Sequence, residues 1–327
     1  TIASGGTQNI SSGAVVSGAT LLSAGNQNLL SGASVTSTTV SAGGIQNLSG
    51  ATLAISSILS GGTQNISSGG SATATIIRSG GIENISTGGS DSNAVISSGG
   101  IQNVSSGGTA NAMTISTGGS QNVFSTALAS GGTISSGGTQ ILSGGTASAT
   151  VISNAGTQNI SANGIASGIT ISSGGIQNIS NGGSAVATII NSAGTENISS
   201  GGTALSTTVN TSGIQYVSLG GLASSATLSG GTQSVISGGT ALNTQISSGG
   251  DQIVNGGAIV SGANLLSGGT QGLQSGASVT STTVNTGATQ AVGNAALAIS
   301  SILSGGTQNI SSGGSATATI IRSGGIE

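Results

Sequence analysis

Side-chain chemistry needs titratable, nucleophilic or metal-ligating groups, and this 327-residue chain carries few. It has five acids (Glu83, Asp91, Glu196, Asp251, Glu327), two arginines (Arg78, Arg322), and no Lys, His or Cys. Paired carboxylates would cleave glycosidic bonds, and clustered Arg or Lys bases would degrade acidic polysaccharide. Here the acids are scattered along the sequence, so no two are expected to act together, no catalytic residue is assigned, and the chain reads as non-enzymatic. A calcium-binding solenoid repeats Asp in every nonapeptide, and other metal sites need clustered ligands; neither pattern occurs, so no metal site and no cofactor are expected. Arg78 with Glu83, and its copy Arg322 with Glu327, would make an ion pair between turns or leave a solvated Arg; an exposed pair contributes little either way.

The chemistry that is abundant is neutral: amides and hydroxyls at fixed spacing. Gln recurs every 18 or 19 residues, at Gln8, Gln27, Gln46, Gln64, Gln102, Gln121, Gln140 and onward, with Glu83 and Glu196 replacing it in two copies. That regularity predicts a buried structural ladder, in which stacked amides bond to the turns above and below, since an unpaired buried Gln is costly. One residue later stands Asn9, Asn28, Asn47, Asn65, Asn84, Asn103 and Asn122, then Asn159, Asn178, Asn197 and Asn309, the column being interrupted by Ile141, Tyr216, Ser234, Ile253, Gly272 and Ala291. By alternation this column faces outward beside a Thr/Ile column. It is either a ladder that stabilises the stack or a contact strip for homotypic self-association. The Asn-x-Ser triplets at nine of these positions match the N-glycosylation pattern, but they arise from the repeat itself.

The element that positions these residues is the repeat. Seventeen complete units run from Gly5 to Ser323, typified by GGTQNISSGGSATATIIRS at 61–79. The sixth position is aliphatic in all seventeen, for example Ile66, Ile85 and Ile179. The third residue before the next unit is aliphatic in sixteen, from Leu21 and Val40 to Ile321, with Thr227 the exception and Leu228 beside it as its substitute. Gly pairs at positions one and two and at nine and ten supply corners. Between them TQNIS puts Gln64 and Ile66 on one face, SAT points Ala72 inward, and TIIRS points Thr75 and Ile77 inward and Arg78 outward.

Three strands and their corners in about 19 residues predict one turn of a parallel β-solenoid, a helical repeat needing 30 or more. Two buried aliphatics per turn return about 4–6 kcal/mol, far less than ordering the turn costs, so turns must stack to fold. Residues 53–83 recur unchanged at 297–327, an offset of 244 residues or thirteen units. The ends also break off within units, so residues 1–327 are expected to be a single solenoid domain forming a window of a longer protein.

With 63 Gly, no Pro or Trp and 2% charged residues, the surface must be neutral and rich in hydroxyls. The Lys/Arg footprint of a nucleic-acid binder is missing. No stretch approaches the ~18 apolar residues of a membrane helix, so this segment is not expected to insert. Periodic aliphatics argue against disorder.

At this point the unit resembles the AIDA-type repeat of passenger domains in Gram-negative autotransporter adhesins: Gly61, Gly62, Gln64, Ile66, Gly69, Gly70, Ala72, Thr75 and Ile77 occupy that repeat's positions, and the likeness runs through essentially the whole chain. The resemblance implies a right-handed parallel β-helix displayed outside the cell on the bacterial surface. It implies roles in cell-cell aggregation, adhesion to a host or bacterial surface receptor and biofilm, and in some members sugar linked to Ser. The expected function is therefore an adhesin or fibre segment working by self-association, with a purely structural extracellular filament or stalk as the alternative. Regular Thr arrays that order ice are a remoter alternative, since T-x-T is sporadic (Thr73, Thr75).

Overall fold

The alternation read in TQNI is realised as a strand, Thr63–Ile66, with Gln64 and Ile66 buried and Thr63 and Asn65 half-buried. Ser71–Thr73 buries Ala72, and Ile76–Arg78 buries Ile77 and exposes Arg78. The structure, a computed structural model, describes residues 1–293 and 295–327. Throughout it the same triplet of strands returns, giving an all-β parallel solenoid of about seventeen turns with three strands per turn and no helix among the described residues.

Two compact units are distinguished, Thr1–Asn159 with Asn163–Ala166, and Ile160–Ala162 with Ser167–Glu327. In the first, the opening strands Thr7–Ile10, Asn26–Leu29, Ile45–Leu48, Thr63–Ile66, Ile82–Ile85, Ile101–Val104 and Ser120–Phe124 pair in parallel, Asn opposite Asn in every step. In the second the corresponding strands run from Ile176–Ile179 to Thr307–Ile310. In both, the core is built from the sixth-position aliphatics, the small Ala of the second strand and the aliphatics of the third, nearly all without solvent exposure. Ala in the second strand leaves room for the long Gln and Ile side chains converging from the other two.

The corner before each opening strand is a tight turn. In Ser97-Ser98-Gly99-Gly100 the Gly100 N–H donates to the Ser97 carbonyl at 2.8 Å, and both central residues have positive φ, 49° and 77°, as a type I′ turn requires. Gly100 is needed for a different reason: a Cβ there would lie 2.2 Å from the Ile77 carbonyl oxygen of the previous turn.

Two features go beyond the sequence reading. Glycine pairs mark two of the three corners, as read; the bend between second and third strands is made by a single left-handed residue that is usually not glycine, such as Ala74 (φ 56°) or Asn93 (φ 61°). Its N–H is satisfied by the next turn, Ala74 N to Ser92 O at 2.8 Å. Second, the inward aliphatic is not always the third residue before the next unit. In three 18-residue units it is Leu59, Leu228 or Leu303. There the corner is shortened by one residue, the third strand running on into bridges Ser41 with Gly61, Asn210 with Gly230 and Asn285 with Gly305. Thr227 is thus no exception to the column, because Leu228 is the buried residue.

Candidate functional site

Two amide ladders run along the opening strands, one on each face. Inside, Gln27 Nε2 donates to Gln8 Oε1 at 2.8 Å and Gln46 Nε2 to Gln27 Oε1 at 2.7 Å, and Gln64 donates to Gln46. Gln121 donates to Gln102 and Gln140 to Gln121, both at 2.6 Å. In the second unit the series runs from Gln215 to Gln271 at 2.6 Å per step. In each of these steps the polarity is the same: Nε2 donates to the oxygen of the turn before.

A second set of donors, whose role the sequence did not signal, comes from hydroxyls at the start of the third strand. Ser57 reaches Gln46 Oε1 at 3.2 Å, Thr244 reaches Gln233 at 3.1 Å and Thr282 reaches Gln271 at 3.3 Å. These Ser and Thr side chains are buried, so at these turns the ladder becomes a two-sided hydrogen-bond network, which in a low-dielectric interior fixes register strongly; the Thr38 and Thr150 hydroxyls of the same column make no such bond.

Outside, Asn28 Nδ2 donates to Asn9 Oδ1 at 2.8 Å, Asn47 to Asn28 and Asn65 to Asn47 at 2.9 Å, Asn84 to Asn65 and Asn103 to Asn84 at 3.0 Å, and Asn122 to Asn103 at 2.8 Å. The row stops where Ile141 follows Asn122. In the second unit Asn197 donates to Asn178 at 2.8 Å, and Tyr216 follows. Single amide pairs, Asn210 to Asn191 at 2.9 Å and Asn285 to Asn264 at 2.8 Å, lie on or directly after the third strands.

The acids are not as scattered as the sequence implied. Glu83 stands in the interior Gln column and Asp91 in the interior Ala column, in register with Ala72 and Ala110. They meet across the core: Gln102 Nε2 donates to Glu83 Oε2 at 2.6 Å and to Asp91 Oδ2 at 3.2 Å. Burial lifts the Glu83 carboxyl above the usual carboxylate range, with the Gln102 amide acting the other way. Asp91 is lifted well above that range, first by burial and then by the charge of Glu83. Glu196 is lifted by burial too, against the bonds from Gln215 at 2.6 Å and Thr207 at 3.1 Å. With Glu83 in the interior and Arg78 on the outer surface, the ion pair between them is not made. Asp251 faces outward and accepts from the Thr270 hydroxyl at 2.7 Å. No pocket opens among the described residues, and Glu83 and Asp91 are both buried.

No protein-family model matches the chain, and no curated protein does. Among solved structures, it is similar to the crystal structure of a hyper-glycosylated TibA fragment, residues 55–350, whose glycosylation was catalysed by TibC. The identity is 34%, the TM-score is 0.68, and the match covers 95% of this chain and 98% of that one. The chain belongs to the family of autotransporter adhesin passenger solenoids. In these terms the Gln ladder is the internal scaffold of a passenger repeat, and the Asn row is a feature of its outer face.

Proposed function

We propose that this autotransporter-family chain is a non-enzymatic segment of a bacterial adhesin, displayed outside the cell, that acts by lateral association of one copy with another through the Asn/Thr strip. The observation that carries the reading is the unbroken outward row from Asn9 to Asn122. A primary amide has two N–H donors and two lone pairs, and at Asn28, Asn65, Asn84 and Asn103 the ladder engages one of each, so half of each of these amides remains for a partner. The ladder also fixes the rotamers beforehand, removing an ordering cost of about 0.5–1.5 kcal/mol per side chain on contact. Each contact is weak, but seven at the strand spacing act together, so avidity replaces affinity. A receptor on a host or bacterial surface is the second class of partner the strip suits. The relation to TibA supports a surface-displayed, extracellular location.

The test is Asn65→Asp with Asn84→Asp and Asn103→Asp, which sets like charges one turn apart and opposite the facing copy. The expected result is a folded solenoid by circular dichroism with cell aggregation or bundling lost. Unchanged aggregation by the folded triple variant would make the strip a purely structural ladder and the chain a stalk.

The TibC-catalysed glycosylation of the TibA fragment favours a companion reading, that exposed corner serines such as Ser68, Ser79, Ser98 and Ser106 accept sugars here. Co-production with TibC and intact-mass measurement should show added sugar mass; an unshifted mass removes this reading.

A further inference from the structure

The interior ladder sets a strict requirement on every residue in its column. Because each Nε2 donates to the oxygen of the turn before, a side chain in the column must supply a donor toward the preceding turn and an acceptor toward the following one. Glutamine supplies both. A carboxylate supplies acceptors only, whereas a carboxylic acid supplies one donor and one acceptor. We propose that Glu83, with Asp91 beside it, and Glu196 are proton sites of this ladder: a bound proton closes the hydrogen-bond chain at each, and its loss as pH rises loosens the solenoid at those turns.

At the first site the acceptor requirement is met, since Glu83 Oε2 receives the Gln102 amide at 2.6 Å. The donor requirement is not. Glu83 lies in register with Gln64 of the turn before, and Gln64 Oε1 receives the Thr75 hydroxyl at 3.5 Å, where ladder steps elsewhere are made by an amide at 2.6–2.8 Å. Glu83 Oε1 and Asp91 Oδ1 are the two buried carboxyl oxygens that no donor reaches. The two carboxyls also interact with each other, with the Thr75 hydroxyl near Glu83 and the Ser92 N–H near Asp91, and an acid O–H is the group that supplies the donor which the ladder lacks at this turn.

At the second site the column geometry is the same. Glu196 Oε2 receives Gln215 at 2.6 Å and the Thr207 hydroxyl at 3.1 Å, and its register neighbour in the preceding turn is Gln177, whose Oε1 receives the Thr188 hydroxyl at 3.3 Å and has a second lone pair for an acid O–H. No cation can substitute for the proton. Of the charged groups on strands packed around Glu83 and Asp91, Arg78 lies on the outer surface, and the strands around Glu196 carry only the outward Tyr216 as a further titratable group. A lost proton goes to solvent and leaves a buried carboxylate without a counter-charge, which is strongly unfavourable.

The direction with pH follows. These carboxyls hold the proton more tightly in the folded chain than in the unfolded one. Their contribution to stability is therefore complete below the unfolded carboxyl pKa of about 4 and is lost as pH rises through the folded values. Opening is local, because a solenoid turn contacts only its neighbours.

The experiment uses the full chain beside a variant carrying Glu83→Gln, Asp91→Ala and Glu196→Gln, substitutions that restore the residue found at those columns in other turns. The parent should keep the infrared carbonyl band of a protonated carboxylic acid at a pH above that at which exposed carboxyls ionise, and the variant should lose the band with the exposed carboxyls. Between about pH 4 and pH 8 the parent's Tm should fall by about 3 °C or more, with amide exchange, corrected for its intrinsic pH dependence, rising most in residues 82–104 and 195–217. The variant, which keeps the outward Asp251 and Glu327, should show neither change. The proposal is overturned if the acid band of the parent disappears at the same pH as that of the variant, or if parent and variant share one pH dependence of Tm. Should the triple variant not fold, Glu196→Gln alone makes the same comparison at the second site.

Discussion

Gly99 and Gly100 stand side by side at one corner and are held by different physics. Gly99 has φ 77° with nothing within 4 Å of an added Cβ, so its constraint is conformational, and Gly99→Ala should cost about 1–2 kcal/mol, the left-handed penalty of an L-residue. At Gly100 a Cβ would sit 2.2 Å from the Ile77 carbonyl oxygen, so Gly100→Ala must push two turns apart and should cost more than its neighbour, about 3 kcal/mol. Urea unfolding of the two variants checks the order. Ile179 shows the opposite extreme, being fully buried. Ile179→Asp puts an unpaired charge where water cannot reach it, and the expected outcome is exchange-competent amides around residues 176–217 rather than a uniform loss of stability.

At the scale of the strand, the two ladders use the same amide bond and differ in what replaces it when it is lost. Gln121 is fully buried, donates to Gln102 and accepts from Gln140. Gln121→Leu orphans one acceptor and one donor in a dry core, each costing about 1–3 kcal/mol, so destabilisation of about 2–5 kcal/mol is expected. Asn84 holds the same relation to Asn65 and Asn103 on the outer face, where water satisfies whatever the ladder loses. Asn84→Ala should therefore cost under about 1 kcal/mol, read from the same urea midpoints. A comparable loss at both positions would mean that the outer ladder is dry as well. The inner ladder ties each turn to the next in a dry core, and the outer one does so where water competes.

At the scale of the whole chain, the dominant fact is the near absence of charge, seven charged side chains in 327 residues, three of them buried acids. Salt screens charge-charge interactions over about 10 Å at 0.1 M, but this surface offers little to screen. Association of copies and thermal stability should both change little between about 0.05 and 0.5 M NaCl, as measured by sedimentation and calorimetry. Steep salt dependence would show that the contact runs through the few charged groups and not through the amide strip. Within each compact unit, stability should accumulate turn by turn from neighbour interfaces.

The repeat, the inward aliphatic and Gln columns and the outward Asn row were legible in the sequence because each rests on a local regularity: side chains alternate along a strand, and the unit returns every 18 or 19 residues. The single left-handed bend at Ala74 was not legible, because alanine carries no signal for positive φ and only the stacking of Ala74 N on Ser92 O holds it there. Nor was the choice of Leu59 and Leu303 over the aliphatic neighbours Ile58 and Ile302, since where an 18-residue unit drops its missing residue is decided by which corner can close on the turn beneath it. The encounter of Glu83 with Asp91 lay furthest out of reach. Periodicity points both residues inward, but they sit on different strands and approach only once the chain has turned the corner at Gly88 and Gly89 and closed its cross-section. The direction a side chain faces is a property of the strand, whereas what it meets is a property of the closed coil.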